Sequence, residues 1–230
     1  MDTNVMETHR FRNFAAWAAI ISMPIALAST FLNVYWTNFN LQAFTSPDLL
    51  LQEMNEGGWL KITFLLDLFG YYLPLAPLAL YLPRLISDQD SAFVSMYTFL
   101  GLAYIICGAI GASLCITILP GLADNYLNAT GHEQVIYFTV FSAFFNGIFF
   151  GLWDLLDPIL AGIWWLGIGY HLQTKWLLLG RVSMVLGAFT LLTSLGYILG
   201  QPNIEAMGLN VYLGLAPVWA AWVGIKLLKS

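Results

Sequence analysis

The chain has 230 residues, of which 59% are hydrophobic, 16% aromatic and only 9% charged. A soluble domain carries roughly 25% charged residues, so this chain cannot clothe a globular surface with charge and reads as an integral membrane protein. The net charge of −5 and the eight Lys and Arg, which form no basic tract, argue against nucleic acid as a partner and leave the lipid bilayer as the main one.

One bilayer crossing takes about 20 apolar residues. Six crossings use most of the chain and leave only short loops, with no room for a soluble catalytic domain. The expected fold is all-α, a polytopic transmembrane helix bundle forming a single domain over residues 1–230. The first span is read at 14–36. Ala26-Leu27-Ala28 resembles a signal-peptidase site, but the apolar sequence runs on to Trp36, which makes a full span. Pro24 predicts a kink, and Tyr35 and Trp36 are interface anchors.

Residues 37–58 form an outer loop with Asp48, Glu53 and Glu56 and no Lys or Arg. Within it, Ser46 suits a helix cap, Pro47 the first helical position and Gly57 the end of a short helix. Leu49, Leu50, Leu51 and Met54 give that helix an apolar face, expected to lie on the membrane surface. The second span is read at 59–82 with Asp67 inside it and Pro74 and Pro77 following. Arg84, Asp88 and Asp90 mark the next loop. The third span, 92–119, ends at Pro120 and holds Cys107 and Cys115. Eight residues of helix separate the two thiols by roughly 12 Å, too far to bridge, so both are read as small buried hydrophobes that stay reduced. A loop is expected at 121–134, with Asp124, His132 and Glu133, and Asn128-Ala129-Thr130 matches a glycosylation sequon by pattern only. The last two spans are read at 177–199 and 209–228, separated by a turn at Gln201-Pro202-Asn203 with Glu205 after it.

The stretch 135–172 is mostly apolar but interrupted by Asp154, Asp157 and Pro158. Two short spans turning at the aspartates would give seven helices. A single straight helix runs roughly 57 Å against a ~30 Å hydrocarbon core, so one span needs a tilt, a kink or an extension beyond the bilayer. The distribution of cations favours one span, at 146–172. With six spans and a cytoplasmic N-terminus, Arg10, Arg12, Arg84, Lys175, Arg181, Lys226 and Lys229 all fall inside, and only Lys61 falls outside, where its stem snorkels. Both termini are then cytoplasmic, in a bacterial inner or plasma membrane.

Six spans place Asp154 and Asp157 at bilayer depth, where an ionisable group costs on the order of 3 kcal/mol and points to function by default. Gly147, Gly151, Asp154 and Pro158 follow 4-3-4 spacing, one helix face, and Gly147 and Gly151 form a GxxxG pair suited to close helix approach. Asn146, Phe150, Trp153 and Asp157 form the neighbouring stripe. Asp67 shares its face with Thr63, Tyr71 and Pro74. Prolines free backbone carbonyls, and broken helices beside buried carboxylates are what transporter ion sites use. Asn33, Ser113, Thr117, Thr193, Ser194, Tyr197 and Asn210 are further polar residues of the outer half. Together these residues predict an acidic, outer-facing pocket with Asp67, Asp154, Asp157, Asn146, Tyr71 and Asn33 as ligand- or ion-binding candidates. The bland alternative is that the acids bond a tyrosine or proline-freed backbone. Ser183, Gly187, Thr190 and Ser194 read as a packing stripe, His171 as a lone interfacial histidine, and Trp153, Trp164, Trp165, Trp176, Trp219 and Trp222 mostly as interface belts.

HRFRNFAAWAAI at the first helix, the Asp67 stretch continuing into LAPLALYLPRL, and IWWLGIGYHLQTKWLLLGRVSMVLG together resemble a bacterial family of six-helix membrane proteins of unknown function. The resemblance implies the six-helix count and carries over no activity or site residue. The Asp154-x-x-Asp157 segment departs from that pattern.

Three functions compete. The first is binding or transport of a small molecule, cation or proton through the acidic pocket. The second is a structural or accessory role with a membrane-protein partner or a second copy of the chain. The third is intramembrane enzymology by the carboxylates, which is less favoured because no catalytic residue or metal-ligand set is legible. The sequence leaves any cofactor unspecified.

Overall fold

Hydrocarbon offers no hydrogen bonds to an open backbone, so a chain of this composition satisfies its own backbone along helices. No strand occurs among the residues described by the computed structural model, which are 3–40, 42–54, 58–86 and 91–230 (side chains from residue 9 on, that of Ser91 apart). Glu56, Gly57, Asp88 and Asp90 lie outside the described residues. Six helical stretches are long and apolar enough to cross a membrane: His9–Trp36, Gly58–Leu85, Ala92–Asn128, Gly131–Leu172, Leu177–Ile198 and Pro202–Leu228. The chain is an integral membrane protein built as an all-α bundle with six candidate spans. Asp154 and Asp157 stand inside a continuous helical stretch, not at a turn, so the seven-span alternative falls. Six crossings return both chain ends to one end of the bundle.

Helix α1 is Thr3–Trp36, with Pro24 inside it. After it the backbone turns through left-handed Asn38 and Phe39. Helix α2, Pro47–Glu53, starts with proline in its first turn as expected. Its Leu50 and Leu51 do not rest on a membrane surface. They are buried in one apolar cluster with Phe141 and Phe145, because a neighbouring helix covers them first.

The second span is α3 (Gly58–Asp67), a π-helical turn (Leu68–Tyr72) and α4 (Leu75–Tyr81). The third is α5 (Ser91–Thr117), continued by α6 (Leu119–Asn128). The expected loop at 121–134 is largely helix. Pro120 sits in the first turn of α6, where a missing N–H removes no helical bond, so the proline starts a helix instead of ending one. Gly131, with φ of +61°, turns the chain into α7 (Gly131–Asn146). Then follow a ten-residue π-helical segment (Gly147–Leu156) and α8 (Asp157–Leu172). The uninterrupted stretch of 42 residues is ~63 Å long by the α-helical rise, about twice a hydrocarbon core. The hairpin of α6 and α7 marks one end of the bundle, the hairpin end. Helix α9 is Leu177–Ile198, and α10 is Pro202–Leu228, seven residues longer at its start than the span read from sequence.

Helices α8 and α9 meet at glycine. A Cβ on Gly162 would stand 2.9 Å from the Gly187 carbonyl oxygen, so these backbones touch directly. The stripe Ser183, Gly187, Thr190 and Ser194 is wholly buried, as its spacing predicts. The expected GxxxG contact is absent. Gly147 and Gly151 are exposed, and a Cβ on Gly147 would meet nothing within 4 Å. The 4-3-4 spacing assumes 3.6 residues per turn, and a π segment with i→i+5 bonds turns more slowly, so the face rotates away.

Two apolar clusters fill the bundle. One, toward the chain termini, gathers Tyr71, Tyr72, Tyr104, Trp164, Trp165, Tyr212 and Trp219. The other, at the hairpin end, gathers Leu50, Trp59, Phe64, Cys115, Phe141, Phe145 and Phe149. Trp164, Trp165 and Trp219 are fully buried, so they form core and not an interface belt. Trp219 Nε1 donates to Ser183 Oγ at 2.6 Å. His171, in the last turn of α8, is likewise buried, its ring 6.1 Å from Tyr97. Cys107 and Cys115 are both buried and free.

Candidate functional site

The acids occupy the seam between the two apolar clusters. Phe64 belongs to the hairpin-end cluster and Tyr71 to the other, so Asp67 lies between them on the second span. Phe149 and Ala161 bracket Asp154 and Asp157 in the same way on the fourth. Both positions adjoin π segments: Asp67 immediately precedes one π turn, while Asp154 lies inside the second and Asp157 immediately follows it. Such segments release backbone groups and concentrate at functional sites.

Carbonyls in and beside these segments accept from hydroxyls on neighbouring helices. Tyr104 donates to the Tyr71 carbonyl at 3.1 Å, beside Pro74. Ser194 donates to the Leu155 carbonyl at 3.0 Å, beside Pro158. Tyr71 donates to the Leu213 carbonyl at 2.8 Å. Pro217, four residues after Leu213 inside α10, has no N–H to offer that oxygen. The Tyr71 hydroxyl also lies 2.9 Å from Thr30 Oγ1, and the hydroxyls of Tyr104 and Tyr212 are 3.1 Å apart. Tyr72 hydrogen-bonds Tyr212 as well. The carbonyl that Pro217 frees is therefore served by a tyrosine hydroxyl, and no acid is needed for that task.

Asp157 is the most enclosed acid. Its side chain is only 3% exposed, and its buried Oδ1 has no hydrogen-bond partner. It lies within electrostatic reach of Asp67 and Asp154, and Tyr72, Tyr104 and Tyr212 lie within reach of it. Asp154 hydrogen-bonds the Glu205 side chain in the first turn of α10. The sequence pairs Asp67 with Asp154, whereas the structure sets Asp157 near Asp67 and gives Asp154 a different partner. Glu205, read from sequence as a loop acid, is the member that sequence reasoning missed. Its position three residues after a helix-starting proline was the available signal.

The remaining candidates are dispersed. Tyr71 is buried in the cluster toward the termini, its hydroxyl committed to backbone and Thr30. Asn33 lies on α1 with a buried Oδ1 that has no hydrogen-bond partner. Asn146 is exposed at the head of the π segment and stays outside the acid group. Outside the spans, the amides of Asn40 and Asn38 donate to Glu53 at 2.8 and 3.1 Å and hold its carboxyl below the usual range.

No protein-family model, no curated protein and no solved structure matches this chain. Its chemistry therefore rests on the arrangement itself. Among the described residues, no group of three or more His, Cys, Asp or Glu converges to hold a metal ion. Asp154 pairs with Glu205, and Asp157 lies within electrostatic reach of Asp154 and Asp67.

Proposed function

We propose that this protein is a proton-binding, proton-passing membrane bundle whose working group is Asp157. One observation carries the reading: Asp157 is 3% exposed between two apolar cores with one carboxyl oxygen unpartnered. A carboxyl retained only to join helices would have its oxygens occupied, as the Tyr71 and Ser194 hydroxyls are. Charge at that depth costs several kcal/mol without compensation, and a proton is the smallest compensating partner. The pairwise arrangement of the acids favours a proton over a metal cation, which needs converging ligands. A small polar solute moving with the proton would reach the centre from the hairpin end. The termini, carrying most of the Lys and Arg, face the cytoplasm of a bacterial plasma membrane.

The test uses purified protein in phospholipid vesicles containing a pH-sensitive dye, with valinomycin and potassium clamping the potential. After external acidification, wild-type vesicles acidify faster than protein-free ones, and Asp157→Asn restores the protein-free rate. Equal rates for wild type and Asp157→Asn overturn the reading. A structural-subunit role is the second reading. It is favoured by Val135 and Ile136, 59% and 49% exposed on α7, in the 42-residue helical stretch that exceeds one bilayer crossing. A wild type no faster than empty vesicles would bring that reading forward.

A further inference from the structure

We infer that the Asp154–Glu205 pair is the port through which protons reach Asp157 from the hairpin end, with Glu205 as the water-side group. The inference rests on the reading of Asp157 above and assigns the route that serves it.

The geometry is specific. Two carboxyl groups joined by a hydrogen bond need a proton between them, because carboxylates only accept. The pair spans two helices, since Asp154 stands in the π segment and Glu205 in the first turn of α10. The helix positions are set by backbone contact. A Cβ on Gly196 would collide with the Glu205 backbone, and one on Gly208 would stand 2.5 Å from the Thr193 nitrogen, so α10 lies flush on α9 here. On the other side, Ser194 holds the π segment through the Leu155 carbonyl, and Phe150 stacks on Tyr197 at 6.0 Å. Both partners are thus fixed to α9, at partial exposure, while Asp157 beyond them is closed to solvent. The unpartnered Oδ1 of Asp157 is the acceptor that the series lacks.

The step balances simply. The Glu205 O–H bond breaks and an Asp154 O–H bond forms. Glu205 becomes a carboxylate and is reprotonated from water at the hairpin end, while Asp154 passes its proton toward Asp157. The groups facing this path are Asp67 and Tyr72 of the second span, Tyr104 and Cys107 of α5, Tyr197 of α9 and Tyr212 of α10. None of them is a cation that would hold Asp154 or Asp157 permanently charged.

Glu205→Gln and Asp154→Asn each keep a hydrogen-bonding amide at the contact but cannot relay a proton. In the vesicle assay each should slow acidification about tenfold or more, and the double variant should be no slower than the slower single, as two steps in series require. Glu205→Asp should recover part of the rate. Unchanged near-ultraviolet circular dichroism in each variant shows that packing is kept. If Asp157→Asn abolishes the flux while Glu205→Gln and Asp154→Asn retain the wild-type rate, the port is wrong and the reading of Asp157 stands. If Asp157→Asn also retains the wild-type rate, both fail. Additive slowing in the double variant would likewise overturn the serial route.

Discussion

Tyr71→Phe tests the claim that a tyrosine hydroxyl serves the carbonyl that Pro217 frees. The substitution deletes one oxygen, which donates to the Leu213 carbonyl at 2.8 Å and lies 2.9 Å from Thr30 Oγ1. Hydrogen bonds between helices in membranes average about 0.6 kcal/mol and reach about 1.7. A buried carbonyl left without a donor adds cost, about 1–3 kcal/mol for such groups in general. The Leu213 oxygen has no helical substitute, because Pro217 stands where its N–H donor would be. The expected loss is therefore toward the upper end, about 1.5 kcal/mol, or roughly tenfold in the unfolding equilibrium. Pro217→Ala supplies an N–H four residues after Leu213. In that background Tyr71→Phe should cost only about 0.5 kcal/mol, a coupling of about 1 kcal/mol. Reversible unfolding of the four proteins by sodium dodecyl sulfate in mixed micelles, followed by tryptophan fluorescence, measures the cycle. Equal costs in the two backgrounds, within ~0.3 kcal/mol, would refute the assignment.

Gly162→Leu should unfold or grossly destabilise the bundle, since even a Cβ there would meet Leu191 at 2.6 Å and the Gly187 oxygen at 2.9 Å, whereas Gly147→Leu should fold with near-wild-type thermal stability. Cys107 and Cys115 should resist a membrane-impermeant maleimide in the folded protein and react after denaturation, read by mass spectrometry. The Glu53 carboxyl, lowered by Asn40 and Asn38, should titrate below a free glutamate in carbon-detected NMR, and Asn40→Ala should raise its midpoint. Because the folded value is the lower one, the anchoring it provides is present above the ordinary glutamate range, ~4.3, and fades as pH falls through the folded value. A fused reporter after Ser230 should read the same side of the membrane as one before Met1.

Sequence alone determined the class and the count. Lipid tolerates only helices whose backbone is internally satisfied, so composition dictates spans, and the Lys and Arg pattern selects six over seven. Pro47 as a helix start, the burial of both cysteines and the Ser183–Ser194 stripe were equally legible, because each follows from local spacing or composition. Which side chains meet was not. The face carrying Gly147, Gly151 and Asp154 was projected with an α-helical period, and the π segment rotated it. Trp164, Trp165 and Trp219 are amphipathic rings that suit either an interface or a core, and only the packing of α8 against its neighbours put them inside. The helical hairpin at 119–146 depended on Pro120 falling in a first turn and on α2 covering its apolar face. Glu205 became a partner of Asp154 only when glycine contacts laid α10 flush on α9. A period read along one helix specifies a face, but the neighbour that face meets is set by interhelical contacts that no single segment contains.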